Sequence, residues 1–456
     1  MANCADSNEV LNNPFYDRGR RAKSGNLTIF DVKNPIPDET TDPDEISKFF
    51  ESHKLVPFAG SEKSTGHKTL DWYLMLAKLS PTFSACVEKL SRYVVGSKAK
   101  VVTATDPEYD VPTPEPNSAE VAKYLDALKQ IVEFEGGVSE FHKLCFAGYK
   151  NTGNAFAELT LTNINGVVRA KITRHKMQTV MYKVPEKDVP KAVAISPVWN
   201  AKYLKKNPAK IRPIYPVFVE EKGVLSTVFH LKNGDNDWYG RPDSDGSTLQ
   251  KYQEVQQAVY LIKQSASNFV GQLLIEVEED TAPAIDESDA NRSGFDSFAE
   301  RLEQNFTMKG EDPQSVLVTS RPMGARPMTV FQVKPNTNEN WYKVTGELNE
   351  NKILVSMNLT RRFMGMEISS GLSETAFLED YITNVDPVVV ENRATLMNWT
   401  NKIISAIWEF ADLPEMNKYS LTFDSPVAKM IQDFQESKKV DNSASTNANE
   451  NDNRTN

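Results

Sequence analysis

The segment closest to a catalytic motif is Gly60-Ser-Glu-Lys-Ser-Thr-Gly66-His67-Lys68-Thr69. Its glycines, lysine and hydroxyls are the residue types that cradle a nucleotide's phosphates. A working phosphate loop has four residues between its glycines and lysine directly after the second. Here five intervene and His67 separates Gly66 from Lys68. The loop must also follow a strand and open a helix, and only Leu-Val-Pro-Phe precedes it. A flexible polar loop is the expectation, with a nucleotide-dependent enzyme built on residues 60–69 as the alternative.

Other chemistry is weaker still. His53, His67, His142, His175 and His230 fall in no HExxH or zinc-ligand spacing, so structural roles are expected for them. Cys4, Cys86 and Cys145 are odd in number and widely spaced, which suggests free thiols in a reducing compartment. No GxSxG or GxGxxG occurs. The acidic run Glu276, Glu278, Glu279, Asp280, Asp286, Glu287, Asp289 lacks the alternating oxygens and central glycine of a calcium loop. No metal site, cofactor or catalytic residue is expected.

The elements that would position any site follow from periodicity. Residues 1–45 hold Pro35, Pro37 and Pro43 and read as an extended arm. Residues 46–98 read as helical, with Pro81 starting a helix that carries Phe83, Val87, Leu90 and Val94. Asn117 and Ser118 can cap a helix bearing Val121, Tyr124, Leu125, Leu128 and Val132, ended by Gly136 and Gly137. Another helix carries Phe141, Leu144, Cys145 and Tyr149. Alternation from Ala155 to Leu161, then VVRAKITRH, TVMYKV, PVFVEE and STVFHL, predicts a meandering, half-exposed antiparallel sheet.

Leu249, Tyr252, Val255, Val259 and Ile262 then step by threes and fours, which predicts one amphipathic helix over 247–268. A small α/β insert follows, with strands QLLIEVEE, SVLVTS and MTVFQV and a helix through Phe295, Phe298, Leu302 and Phe306. A second long helix is expected over 342–364 and a third over 376–411, kinked or broken at Pro387. SLTF reads as a strand. Val427, Met430, Ile431 and Phe434 suggest a short helix before an Asn- and Ser-rich tail.

The chain has 456 residues, a net charge of −10 and 39% hydrophobic residues. That length supports two or three domains or one large multi-part subunit. No long stretch reads as basic, which speaks against tight binding through many phosphate contacts. The N-terminus has no apolar core typical of a signal peptide, and no apolar run is long enough for a bilayer span. A chain assembled in the cytoplasm is expected.

The order of these elements, together with three short motifs, resembles the portal proteins of tailed bacteriophages (the HK97/PBSX-like family). Gly153-Asn-Ala-Phe-Ala-Glu158 followed by VVRAKITRH looks like the family's wing hairpin. Trp238-Tyr239-Gly240-Arg241-Pro242 is similar to its Tyr-Gly turn ahead of the first stem helix. Ile353-Leu-Val-Ser-Met-Asn-Leu-Thr-Arg-Arg-Phe-Met364 looks like the second stem helix. The family continues with a Val-Pro-Pro-Leu-Leu-Gly type segment, where this chain has Met364-Gly-Met-Glu-Ile-Ser-Ser-Gly371 and no proline.

The resemblance covers 46 to about 430 and implies an α+β portal fold. Its expected parts are an N-terminal arm (1–45), a helical and antiparallel-β wing (46–245), stem helices (246–268 and 339–365) and an α/β clip (269–338). A tunnel loop (366–376), a second wing portion of long helix and strand (377–424), a short crown (425–441) and a disordered tail (442–456) complete it. It implies a structural protein, not an enzyme, and leaves another structural component of the virion, such as a capsid or neck protein, as a further alternative. Copies would close into a ring, twelve-fold in assembled particles, at one capsid vertex of the virion.

Expected partners are the major capsid protein, the terminase packaging motor, a head–tail adaptor or neck protein, and double-stranded DNA passing without sequence-specific recognition. No membrane is implied. By the same resemblance the channel and tunnel loop would carry Lys352, Arg361, Arg362, Glu367, Ser369, Ser370, Gly371 and Ser373. Partner docking would use Arg321, Pro322 and Arg326, and the wing–stem turn Tyr239, Gly240, Arg241 and Pro242.

Overall fold

The computed structural model describes residues 51–56, 58, 68–96, 98–104, 116–184, 190–199, 201–234, 238–266, 273–278, 316–321, 339–366, 374–434 and 436. The architecture is mixed helix and sheet, as expected. The arm, residues 60–67, the acidic loop beyond Glu278, the helix near Phe295, the strand MTVFQV and the tail lie outside the described residues.

In the described residues a helical turn (51–53) precedes strand β1 (Leu55–Val56), and helix α1 (Lys68–Leu79) and helix α2 (Pro81–Val95) follow. Pro81 occupies the first turn of α2, where its missing N–H costs nothing, and the Ser80 hydroxyl accepts from the Phe83 N–H. Strand β2 (Ala99–Thr103) leads to α3 (Ser118–Ile131), which opens on a capping box formed by Asn117 and Glu120. The helix stops at Ile131 because the chain extends into strand β3 (Val132–Phe134); Gly136 and Gly137 precede α4 (Val138–Thr152) rather than ending α3.

The expected meander is instead two sheets. Strands β4 (Asn154–Ile164) and β5 (Val167–His175) form a hairpin, β6 (Val180–Lys183) and β7 (Ala192–Ile195) follow, and helix α5 (Ala201–Lys206) connects to β8 (Lys210–Pro213). Strands β9 (Val219–Glu221) and β10 (Val224–Lys232) complete the set. One sheet has the order β3-β5-β4-β10-β9, the other β1-β6-β7-β8. Strand β4 is not half exposed. Its Ala155, Ala157, Leu159 and Leu161 join the main apolar cluster, while Phe156, on the opposite face, joins a second cluster with Phe58, Tyr73, Tyr182 and Tyr239. The alternation survives with both faces largely buried: one is apolar, and the other sets Phe156 beside the buried polar residues Asn154 and Glu158.

Helix α6 (Thr248–Ala266) matches the predicted long helix. Strands β11 (Leu273–Glu278) and β12 (Val316–Arg321) pair in parallel. Helix α7 (Glu339–Ser356) is shorter than expected, and a separate turn α8 (Arg361–Met364) follows. Helices α9 (Glu374–Asp380) and α10 (Asp386–Phe410) are joined by a π-helical turn, Tyr381–Val385, directly before Pro387. A proline cannot donate to the ladder, and the widened turn absorbs the lost bond. Strand β13 (Tyr419–Phe423) pairs with β2, and residues 428–434 are helical.

The chain divides into two compact units. One comprises Thr41–Val255 with Thr345–Asn456; the other contains Gln256–Val344. The first holds the main core, in which Trp408, Tyr124, Phe141, Phe146, Phe363 and Tyr381 are almost wholly buried. Among the described residues no helix is long and apolar enough to cross a membrane.

Candidate functional site

Two of the sequence motifs meet by backbone contact. An added Cβ on Gly153 would stand 2.4 Å from the Arg241 carbonyl carbon, and one on Gly240 would stand 2.2 Å from the Gly153 oxygen. Gly153 also has a positive φ, 76°, as the left-handed cap of α4. Gly240 has no such φ, so close approach rather than turn geometry requires glycine there.

Asn154 stitches the contact. Its Oδ1 accepts from the Gly240 N–H (2.7 Å) and from His230 Nε2 (2.9 Å), and its amide donates to the Gly240 carbonyl (2.9 Å). Tyr239 is buried between strands: its hydroxyl accepts from the Tyr182 N–H (2.8 Å) and donates to the Val56 carbonyl (2.9 Å). Arg241 enters through its carbonyl, which accepts from Asn233 Nδ2 (2.8 Å). Pro242 caps the 3-10 turn Asp243–Ser247 that leads into α6. Lys150, itself buried, pairs with Asp243 at that turn.

The foot of α6 is anchored in the same way. Lys251 is 3% exposed. It donates to the Ser244 carbonyl (2.9 Å) and hydroxyl (2.7 Å), and lies 3.8 Å from the centre of the Phe83 ring. Burial pulls its ammonium down to about 8, against the charge of Asp245 and the Cys86 thiol, which act the other way. Glu254 accepts from Ser80 Oγ (2.5 Å) and Thr82 Oγ1 (2.6 Å). Trp72 and Tyr252 rings lie 4.9 Å apart. The Ser247 and Ser356 hydroxyls meet at 2.8 Å, so the 3-10 turn that leads into α6 touches the last turn of α7.

Helix α7 ends in a Schellman motif. Asn358 has φ 52°, its N–H donates to the Val355 carbonyl (3.1 Å), and the Leu359 N–H reaches back to Leu354 (3.0 Å). Thr360 then caps α8, accepting from the Phe363 N–H (3.1 Å). Arg361 and Arg362 therefore sit on a separate turn, not on the long helix. Arg361 folds back on Glu350 (3.7 Å) and Asn351 (3.4 Å), while Arg362 donates to the Ala376 carbonyl (3.2 Å). Lys352 is exposed on α7.

Glu367, Ser369, Ser370, Gly371 and Ser373 lie outside the described residues, as do Pro322 and Arg326. Arg321 ends β12, in register with Glu278. Among the described residues no cluster of three or more His, Cys, Asp or Glu could hold a metal ion.

Three histidines have structural roles. His142 is fully buried, donating through Nδ1 to the Val138 carbonyl (2.6 Å) and facing Thr400 Oγ1 (3.0 Å); burial pulls it down to about 4. His230 stacks on Phe156 with ring centres 4.1 Å apart. His175 contacts Glu158 (3.0 Å), which also accepts from Lys210 (2.6 Å) and Arg212 (2.9 Å), and Arg212 grips Glu221 through two further bonds. Sequence reading missed Asn154, Lys251, Glu254 and this ion cluster. Asn154 and Glu158 lie inside the Gly153 motif, but the contacts that bury Glu158 and Glu254 come from Arg212, Ser80 and Thr82, more than fifty residues away.

No family model matches this sequence, and no curated protein does. Comparison with solved structures finds a chain of the virion of a native gene transfer agent particle, at 10% identity over 82% of this chain and 89% of that one, with a TM-score of 0.46. A chain from the neck of the native particle, solved with C12 symmetry, aligns at 10% identity over 77% and 83%, TM-score 0.43. A phage portal protein of the HK97 family from Corynebacterium diphtheriae aligns at 13% identity over 78% and 96%, TM-score 0.36.

Proposed function

We propose that this chain is the subunit of a ring-shaped portal of a tailed bacteriophage, a structural protein of the virion with no catalytic role. The observation that carries the reading is the pair α6 and α7. Both are rooted at one spot, through Ser247 and Ser356, and the segment that separates into its own unit begins within α6 and ends within α7. Side chains on these helices are apolar and uncovered in the single chain: Leu249 is 70% exposed, Val344 62%, Leu348 49% and Val355 71%. Positions 344, 348 and 355 share one face of α7, since steps of four and seven return to nearly the same angle. A monomer gains nothing from such a stripe, whereas a head-to-tail ring buries it.

In this reading α6 and α7 are the stem, and residues 269–338, with Arg321, Pro322 and Arg326, form the clip that docks the packaging motor and later a neck or adaptor protein. Residues 366–376 form the tunnel loop, with Glu367, Ser369, Ser370, Gly371 and Ser373 facing moving DNA. Lys352, Arg361 and Arg362 lie beside that path. The ring would have twelve members, sit against the major capsid protein at one vertex, and pass double-stranded DNA inward during packaging and outward during ejection. Negative-stain microscopy with mass photometry on the purified chain tests this. Rings with a central hole wide enough for duplex DNA are expected; monomers alone under all conditions would sink the proposal.

A further inference from the structure

The sheet β1-β6-β7-β8 carries a charge pattern opposite to that of the chain as a whole. Between Val189 and Val219 there is no Asp or Glu, but there are Lys191, Lys202, Lys205, Lys206, Lys210 and Arg212, in a chain of net charge −10. This corrects the expectation that no long stretch is basic.

The topology gathers most of these at one end of the sheet. Val180, the first residue of β6, stands opposite Ile195, the last of β7, and Ile195 stands opposite Lys210, the first of β8. Helix α5, with Lys202, Lys205 and Lys206, is the connection between β7 and β8 at that same end. Lys176 precedes the turn Met177–Thr179, which is tied there by the Ser196 N–H donating to Thr179 (2.9 Å) and by Trp199 Nε1 donating to Gln178 (2.7 Å).

The cations at this end are not equivalent. Arg212 is buried and held by Glu158 and Glu221, and Lys210 shares Glu158. Lys176, Lys205 and Lys206 are exposed, and no described carboxylate pairs with them.

We propose that this end of the sheet binds the phosphate backbone of double-stranded DNA, at a surface distinct from the passage proposed above. Flexible lysines acting as point charges suit a repeating polyanion read without regard to base sequence. The inference does not rest on the portal reading, because a single subunit carries the whole patch; a ring would only repeat it.

The test is fluorescence anisotropy of a labelled random-sequence duplex with the full chain over a salt series. Wild type is compared with K176E/K205E/K206E, and melting curves and mass photometry are run on both. Three phosphate contacts predict a log–log salt slope of about −3. The triple variant should bind at least tenfold more weakly at low salt with a flatter slope, at unchanged melting temperature and mass. If the charge reversals disturb folding, K205Q/K206Q gives the same reading, with a several-fold loss expected. Equal affinity for wild type and a folded variant, or no binding by wild type, overturns the proposal. So does tight binding of poly-glutamate that duplex DNA fails to displace, since that outcome would mark an acidic protein as the partner.

Discussion

At the scale of single residues, the tightest constraint is where Gly153 and Gly240 bring two backbones together. Gly240→Ala would force a methyl to within 2.2 Å of the Gly153 oxygen and 2.6 Å of the Asn233 nitrogen, so backbone must move. A loss of roughly 2–4 kcal/mol is expected, read as a lowered midpoint in urea unfolding. Asn154→Ala leaves the Gly240 N–H and the His230 ring without their partner and should cost about 1–3 kcal/mol in the same measurement.

The buried histidine His142 sets a pH dependence. The unfolded chain takes up its proton near 6.5 and the folded one only near 4, so below 6.5 the unfolded state binds the extra proton. Stability falls as pH drops through that window, by at most about 1.4 kcal/mol per pH unit. Glu158 acts in the same direction at lower pH. Burial would raise its carboxyl, but bonds from His175, Lys210 and Arg212 outweigh that and hold it at about 2, so its contribution is lost as pH falls below the ordinary glutamate range. Denaturant melts at pH 7 and pH 5 should differ less in His142→Gln than in wild type.

At the scale of elements, strong periodicity was readable and long-range pairing was not. The spacing of Leu249, Tyr252, Val255 and Val259 located α6 almost to the residue, and Asn117 and Pro81 marked helix starts through local bonds that need no distant partner. Strand β1 has only two residues and exists because Leu55 and Val56 pair with Lys183 and Tyr182, far along the chain. Val132 fits a helical stripe, yet it belongs to β3 because a parallel partner, Ala170, is available. Glu158 lies in a run of alternating residues on a strand expected to be half exposed, yet it is buried, and its burial depends on Arg212, which no local pattern announces. The end of α7 was overrun by eight residues because Asn358, not glycine, takes the left-handed cap. Asn358→Ala should cost about 1 kcal/mol, since alanine resists that conformation, whereas Asn358→Gly should be neutral or stabilising. Thermal melts of both variants decide it.

At the scale of the whole molecule, the proposed ring depends on the uncovered stripe of α7. Leu348→Glu with Val355→Glu should abolish rings in mass photometry and leave a folded monomer, because neither side chain enters the core of the single chain. Deleting residues 369–373 should behave in the opposite way, leaving rings intact while DNA packaging or retention fails. Loss of ring assembly in that deletion would make the loop structural. The acid-free run from Val189 to Val219 was legible in the sequence all along, but the chain's overall negative balance hid it.

The meeting of Ser247 and Ser356 carries one more consequence. Everything between those serines departs from and comes home to a single doorstep. Both serines belong to the larger unit, so the ends of the segment between Val255 and Thr345 are held close together by contacts within that unit. Closing a longer loop adds little entropic cost, so the length of the distal segment is weakly constrained by the body. A chimera carrying a foreign segment between Val255 and Thr345 should retain the unfolding transition of the body, and in the proposed portal it would exchange the docking surface without rebuilding the core.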